Sequence, residues 1–128
     1  LLGICLGMQL LAATGFENNK ETSGLNLIPG KVKKLEKNSD FRLPHIGWNE
    51  VILKRKDKIF ENIPNNTDFY FIHSYKFICD NSLNEIAISN YYKNFTSVIN
   101  KDNIYGVQFH PEKSLTHGLQ IIKNFLDN

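Results

Sequence analysis

A lone cysteine sits between two glycines in Gly3-Ile4-Cys5-Leu6-Gly7. The form G-x-C-x-G is the sulfur counterpart of the strand–elbow–helix turn that lifts a nucleophile clear of a sheet. Such a turn cramps the backbone. Glycine two residues to either side removes Cβ atoms that would strike the neighbouring strand and helix. The sulfur would then stand before the first helical turn, whose unpaired N–H groups favour a thiolate. A thiol at its ordinary pKa is only about 3% ionised at pH 7, so the nucleophile needs that support or a base. The competing reading is a small core residue, since free cysteines are among the most buried side chains.

The second reactive pair lies far downstream, in His110-Pro111-Glu112 at the end of a strand-like run. Proline pushes the residue before it toward extended backbone, where residues i and i+2 project to one side. Glu112 can then reach one ring nitrogen of His110 and fix its tautomer, leaving the other nitrogen free. A base oriented by a carboxylate is what a cysteine nucleophile needs. A weak surface ion pair is the competing reading. Two ligands without a third do not make a metal site, so no metal is expected.

These groups must be positioned by the elements around them. Leu1 and Leu2 read as the stub of a buried strand, which suggests that an N-terminal portion precedes the chain as given. Residues 6–14 predict a helix with Leu6, Leu10 and Ala13 on its apolar face, stopped by Gly15. Residues 17–23 read as polar loop, and 32–35 as a short strand after a turn at Pro29-Gly30. Pro44 and Gly47 place a turn before a strand at 50–53, and residues 57–66 suggest a short helical turn ended by Pro64. Residues 68–79 predict one aromatic-rich strand, and 85–91, 95–100 and 104–109 three more. Residues 114–126 predict an amphipathic helix whose apolar residues are Leu115, Leu119, Ile122, Phe125 and Leu126. A helix near each end of a strand-rich middle makes this an α/β chain. Cys79 closes a hydrophobic strand and reads as packing.

The 128 residues suffice for one domain. The apolar share of 41% against 22% charged is that of a folded globular chain. A net charge of +2, spread without blocks, gives no argument for nucleic acid or an anionic membrane. No apolar run approaches the roughly 18 residues of a membrane span. Two distant cysteines suggest neither a disulfide scaffold nor a zinc knuckle, so an intracellular, cytoplasmic protein is expected.

Together, GICLGMQLL, GLNLIPGKV, LPHIGWNEV, YFIHSY and YGVQFHPEKS resemble the class I, or triad, glutamine amidotransferases over residues 1 to 126. Within that family, PHIGWN and HPEKS are most similar to the glutaminase subunits of imidazole glycerol phosphate synthases. The resemblance implies a flavodoxin-like three-layer fold with a central mostly parallel sheet and additional antiparallel strands. Residues 1–128 would be the C-terminal two-thirds of that domain, without its N-terminal strands and oxyanion loop.

The resemblance further implies glutamine hydrolysis by a Cys5–His110–Glu112 triad, with the Leu6 backbone N–H as one oxyanion donor. A glycine-rich loop upstream would supply the other. Gly7, Gln9, Ser74 and Tyr75 would bind glutamine, with no cofactor. His73 lacks an adjacent carboxylate and is expected to be structural or interfacial. Pro44, Trp48, Tyr70 and Lys113 would dock on a (β/α)8-barrel synthase subunit, as a heterodimer. That barrel would use the ammonia to make imidazole glycerol phosphate and AICAR in histidine biosynthesis. A glutaminase serving a sugar amidotransferase of surface-polysaccharide synthesis is the alternative acceptor. A non-catalytic interaction subunit is the alternative of another class.

Overall fold

The computed structural model describes residues 1–17 and 19–127. Its strands are β1 (Leu2–Ile4), β2 (Thr14–Glu17), β3 (Lys20–Ser23), β4 (Gly30–Lys34) and β5 (His45–Leu53). They continue with β6 (Thr67–His73), β7 (Tyr75–Cys79), β8 (Glu85–Tyr91), β9 (Lys93–Lys101) and β10 (Ile104–Val107). The helices are α1 (Leu6–Gln9) and α2 (Leu115–Leu126), and short 3-10 turns cover Lys58–Phe60, Ser82–Asn84 and Pro111–Lys113.

Six strands form one sheet in the order β1-β10-β9-β8-β5-β6, and four form a second in the order β3-β2-β4-β7. Among the described residues the parallel pairs are β1–β10 and β2–β4, and the other six pairings are antiparallel, so both sheets are mixed rather than mostly parallel as expected. The α/β reading holds. One core packs the large sheet, including Phe69, Phe71, Phe109 and Val107, against Ile121 of α2. A second joins Met8, Leu11 and Ala12 to Ile28, Val32 and Phe77.

Several expected elements differ, each for a physical reason. The helix of 6–14 stops at Gln9, because groups that would continue it are bonded elsewhere. Leu10 O, the helical acceptor for Thr14 N–H, accepts instead from Leu25 N at 2.8 Å, and Ala13 N–H, the helical donor to Gln9 O, donates to Gly30 O at 3.0 Å. Long-range pairing therefore outcompetes helix propensity. The buried residues are Met8, Leu11 and Ala12, whereas Leu6 and Leu10 are exposed. The segment expected as polar loop forms the β2–β3 hairpin, with Asn18 of that segment outside the described residues.

The strand of 68–79 breaks at Ser74, so that β6 joins the large sheet and β7 the small one. The last of the predicted strands ends at Val107. In α2 the inward face is Gly118, Ile121 and Asn124, while Leu115, Leu119 and Leu126 are exposed. Gly118 sets that face: a Cβ there would lie 2.0 Å from Pro111 O, so only glycine lets the helix sit this close.

The segment 45–49, expected within a turn, is the start of β5, with Pro44 just before it. It pairs with β6 in a register that sets His45 opposite His73 and Trp48 opposite Tyr70. Period-two alternation sends these pairs to opposite faces. Both histidines are buried. Their hydrogen bonds have one consistent direction. Tyr75 O can only accept, so His73 Nδ1–H donates to it at 2.8 Å. His73 Nε2 is then bare and accepts from His45 Nδ1–H at 2.9 Å. His45 Nε2 in turn accepts from Asn49 Nδ2–H at 3.3 Å.

Both rings are thus held neutral, and burial lowers each pKa to about 4. The neighbouring His73 lowers His45 further; His110 lowers His73, against a raising hydrogen bond to Tyr75. Since the unfolded chain binds these protons near pH 6.5, it holds more of them between 6.5 and 4. The stability is complete above pH 6.5 and falls with pH through that window. We expect a loss of about 2 kcal/mol per histidine between pH 6.5 and 5. Urea melts of the full-length protein at several pH values would show it, and a His45→Gln/His73→Gln variant should flatten the slope.

Candidate active site

β1 and β10 run parallel, pairing Leu2 with Tyr105, Gly3 with Gly106 and Ile4 with Val107. Cys5 extends that ladder, donating its N–H to Val107 O at 2.8 Å. The nucleophile candidate and the residues leading to His110 therefore leave the same end of adjacent parallel strands, the end where open α/β sheets place their sites. Cys5 has φ 53° and ψ −107°, a conformation costly for any residue with a Cβ. The elbow expected from the sequence is present.

The two glycines differ in their part. A Cβ on Gly3 would lie 2.6 Å from Gly7 O and 2.8 Å from Met8 N, both rigid backbone. A Cβ on Gly7 would meet nothing within 4 Å, which corrects the expectation that both glycines relieve a clash. The turn closes on one glycine only.

His110 is extended, at φ −99° and ψ 100°, and its Nδ1 lies 3.0 Å from Glu112 Oε2. Two further bonds fix its backbone. His110 N–H donates to Tyr70 O at 2.9 Å, and His110 O accepts from Ser114 Oγ at 2.6 Å. Ser114 Oγ also accepts from Tyr70 N–H at 3.0 Å, tying this turn to edge strand β6. A carboxylate on Nδ1 directs the lone pair of Nε2 outward.

The half-buried Cys5 thiol donates to Ile72 O at 3.6 Å. Burial pushes its pKa up. The Leu6 N–H and the Gln108 amide pull the other way, and the nearby Glu112 carboxylate adds to the rise. The resting sulfur is therefore a thiol. With α1 only four residues long, helix-dipole support is slight, so ionisation falls to a base. Cys79 packs on the second core, and burial pushes its thiol up to about 12.

A cleft of about 260 Å3 opens beside the elbow, lined by Leu6, Gln9 and Tyr75 of the expected residues. Cys5, Gly7, Ser74, His110 and Glu112 are not among its lining, although Ser74 is the bend from which Tyr75 enters. The cleft also holds Glu17, a carboxylate that sequence reasoning misses because it stands in an apparent polar loop. Gln108 is missed too. Its place two residues before His110, on the same side of an extended segment, is the available signal. Gln108 is fully buried, and its Nε2 lies 3.6 Å from Cys5 Sγ.

The expected docking residues lie partly together. Trp48 is 49% exposed and meets Tyr70 edge-on at 5.6 Å, with exposed Ile46 beside it on the same strand face. Pro44 and Lys113 are also exposed. His45, from the same motif, turns inward instead. Among the described residues no helix is long and apolar enough to cross a membrane.

A strained cysteine elbow and a carboxylate-bound histidine thus follow the same end of two adjacent parallel strands on a mixed α/β sheet. The family described as glutamine amidotransferase class-I matches residues 1–128, and the chain belongs to it. The chain is similar to the imidazole glycerol phosphate synthase subunit HisH of Pelagibacter ubique, with 50% identity over 99% of the chain and 61% of that protein. It is 45% identical to HisH 2 of Methanococcus maripaludis, covering 98% of the chain and 61% of that protein. The chain thus spans about three fifths of the length of these curated relatives. A solved glutamine amidotransferase from Thermotoga maritima shares the fold, with a TM-score of 0.63 at 23% identity, over 98% of this chain and 46% of that one.

The glycine geometry makes a contrast that a denaturant melt can check. Gly3→Ala should destabilise the full-length protein by about 3 kcal/mol, since backbone must move. Gly7→Ala should leave stability level or raise it by about 0.5 kcal/mol, as alanine suits a helix better.

Proposed function

We propose that the full-length protein hydrolyses the side-chain amide of glutamine and hands the ammonia to a synthase subunit. The observation that carries this reading is the strained Cys5 elbow one parallel strand away from the His110–Glu112 pair. His110 takes the thiol proton, and the sulfur attacks the amide carbon. The oxyanion forms against the Leu6 N–H, with a second donor from the upstream loop that the resemblance implies. His110 returns its proton to the leaving nitrogen as the C–N bond breaks, releasing ammonia and leaving a γ-glutamyl thioester. His110 then takes a proton from water, the resulting hydroxide attacks the thioester, and the C–S bond breaks to give glutamate as His110 returns that proton to the departing Cys5 sulfur. Glu112 holds His110 in its working tautomer throughout and stabilises the imidazolium.

The cleft lined by Gln9 and Tyr75 suits an amino-acid substrate, with Gly7 and Ser74 contributing through the backbone around them. Glu17 supplies the charge for the α-ammonium group of glutamine. The naming of the relatives as synthase subunits supports a partner, and by the resemblance that partner is the (β/α)8 barrel of histidine biosynthesis in the cytoplasm. Pro44, Trp48, Tyr70 and Lys113 form the docking face, with Ile46 added from the geometry. An exposed tryptophan braced by a cross-strand tyrosine has the form of an interface anchor.

In the full-length complex, Cys5→Ala should abolish synthesis from glutamine by at least about 1,000-fold while synthesis from ammonium salts persists. Equal loss of both would remove Cys5 from the role of nucleophile. Trp48→Ala should weaken association by about 2 kcal/mol in titration calorimetry, with a smaller change in the melt of the isolated subunit.

A further inference from the structure

Cys5 Sγ has polar neighbours that pull its proton in opposite directions, with the Leu6 N–H on the thiolate side. Ile72 O, 3.6 Å away, can only accept, so it favours the thiol. Gln108 Nε2, also 3.6 Å away, can only donate, so it favours the thiolate. When the proton leaves, the Ile72 carbonyl loses its donor and the Gln108 N–H remains. We propose that Gln108 is a further catalytic residue, whose side-chain amide holds the Cys5 thiolate and is locked in that orientation by Gln9 and the Tyr75 carbonyl. This rests on Cys5 being the nucleophile of the reaction proposed above.

The locking follows from donor and acceptor chemistry. An amide can flip and present oxygen instead of nitrogen, and oxygen beside a thiolate would repel it. Gln9 prevents the flip. Its Nε2 donates one hydrogen to Gln108 Oε1 at 3.1 Å and the other to Tyr75 O at 3.3 Å. Were Gln9 reversed, its carbonyl oxygen would face the Tyr75 carbonyl oxygen, two acceptors with no hydrogen between them. The Tyr75 carbonyl is itself pinned by His73 Nδ1–H at 2.8 Å, within the chain that runs back through His45 to Asn49. One carbonyl therefore fixes the sense of every hydrogen bond up to the sulfur. Gln108 is also anchored by its backbone, donating its N–H to Ser97 O at 2.9 Å, and it is wholly buried, so water does not substitute for its amide.

The titratable group acting on the Cys5 sulfur is Glu112, which holds His110, and His110 in turn acts on His73; the variants below leave all three in place. The test is the pH dependence of Cys5 alkylation by iodoacetamide in the full-length protein, read on the Cys5 peptide by mass spectrometry. Gln108→Met keeps the volume and removes the donor. It should raise the alkylation midpoint by about one pH unit and slow the reaction at neutral pH about tenfold. Gln108→Glu, with a carboxylate beside the sulfur, should raise it further. Gln9→Leu alters a half-buried residue and frees the Gln108 amide to turn, so it should give a smaller rise in the same direction. That arm decides the matter should the Gln108 variants fail to fold. An unmoved midpoint in the folded variants overturns the proposal and leaves Gln108 as core filling. The assay needs no glutamine: failure of wild-type glutamine turnover with the alkylation shifts intact would sink the glutaminase reading instead.

Discussion

The parallel pairing of β1 with β10 is the constraint on which the site depends. Three residues of ladder, closed by the Cys5 N–H to Val107 O bond, bring the two ends of the chain to one edge of one sheet. Parallel strands share direction, so the residues after each strand emerge on the same side. Had β1 been antiparallel to β10, Cys5 and His110 would leave opposite ends of the sheet. The pairing also sets the approach distance, since Gly106 faces Gly3 and a Cβ on Gly106 would lie 2.8 Å from Met8 Cγ. Small residues on both strands let the elbow sit down on β10.

The second sheet supports the elbow from below. The segment after α1 feeds its carbonyls to residues 24–28 and its next strand to β3 and β4, so the chain beyond Gln9 is committed to sheet. That commitment shortens the helix and builds the cleft wall in which Glu17 sits. β7 carries the same frame to Tyr75 through its pairing with β4. The break at Ser74 is what hands the chain from the large sheet to the small one. Ser74 O accepts from Leu35 N at 2.8 Å there, and the cleft lies at this seam.

What was legible in the sequence was what local spacing encodes. The elbow glycine, the His-Pro-Glu geometry, and the strands predicted at 85–91 and 95–100 follow from rules that act over a few residues. The misses share one cause. Residues 6–14 have good helix propensity, and the competing bonds come from Leu25 and Gly30, which no local window includes. Pro44 and Gly47 are fair turn signals, yet Pro44 stands just before β5 and Gly47 is accommodated inside it opposite Phe71. For α2 the period was right and the face only in part. Phe125 packs on the core, but Leu115, Leu119 and Leu126 are exposed: Leu119 outranks Gly118 in hydropathy, while Gly118 decides the close approach. Gln108 and the His45–His73 pair could not be found by counting apolar residues. Polar groups in a core are chosen by partners, and partners are a property of register.

The site resolves a conflict between burial and reactivity. Removing Cys5 from water raises the cost of its thiolate, and Glu112 adds repulsion, so the free thiol is the resting form. The same burial strengthens every attraction once charge appears. In the proposed reaction His110 receives the proton, and the imidazolium bonded to Glu112 then pairs with the thiolate, so negative, positive and negative charges alternate in sequence. The Glu112 carboxylate, unfavourable to the thiolate alone, then becomes favourable to the pair through the histidine between them. Proton transfer rather than a permanently lowered thiol pKa is thus the event that the proposed reaction requires, and a sulfur that stays protonated between turnovers is spared from oxidation and stray alkylation.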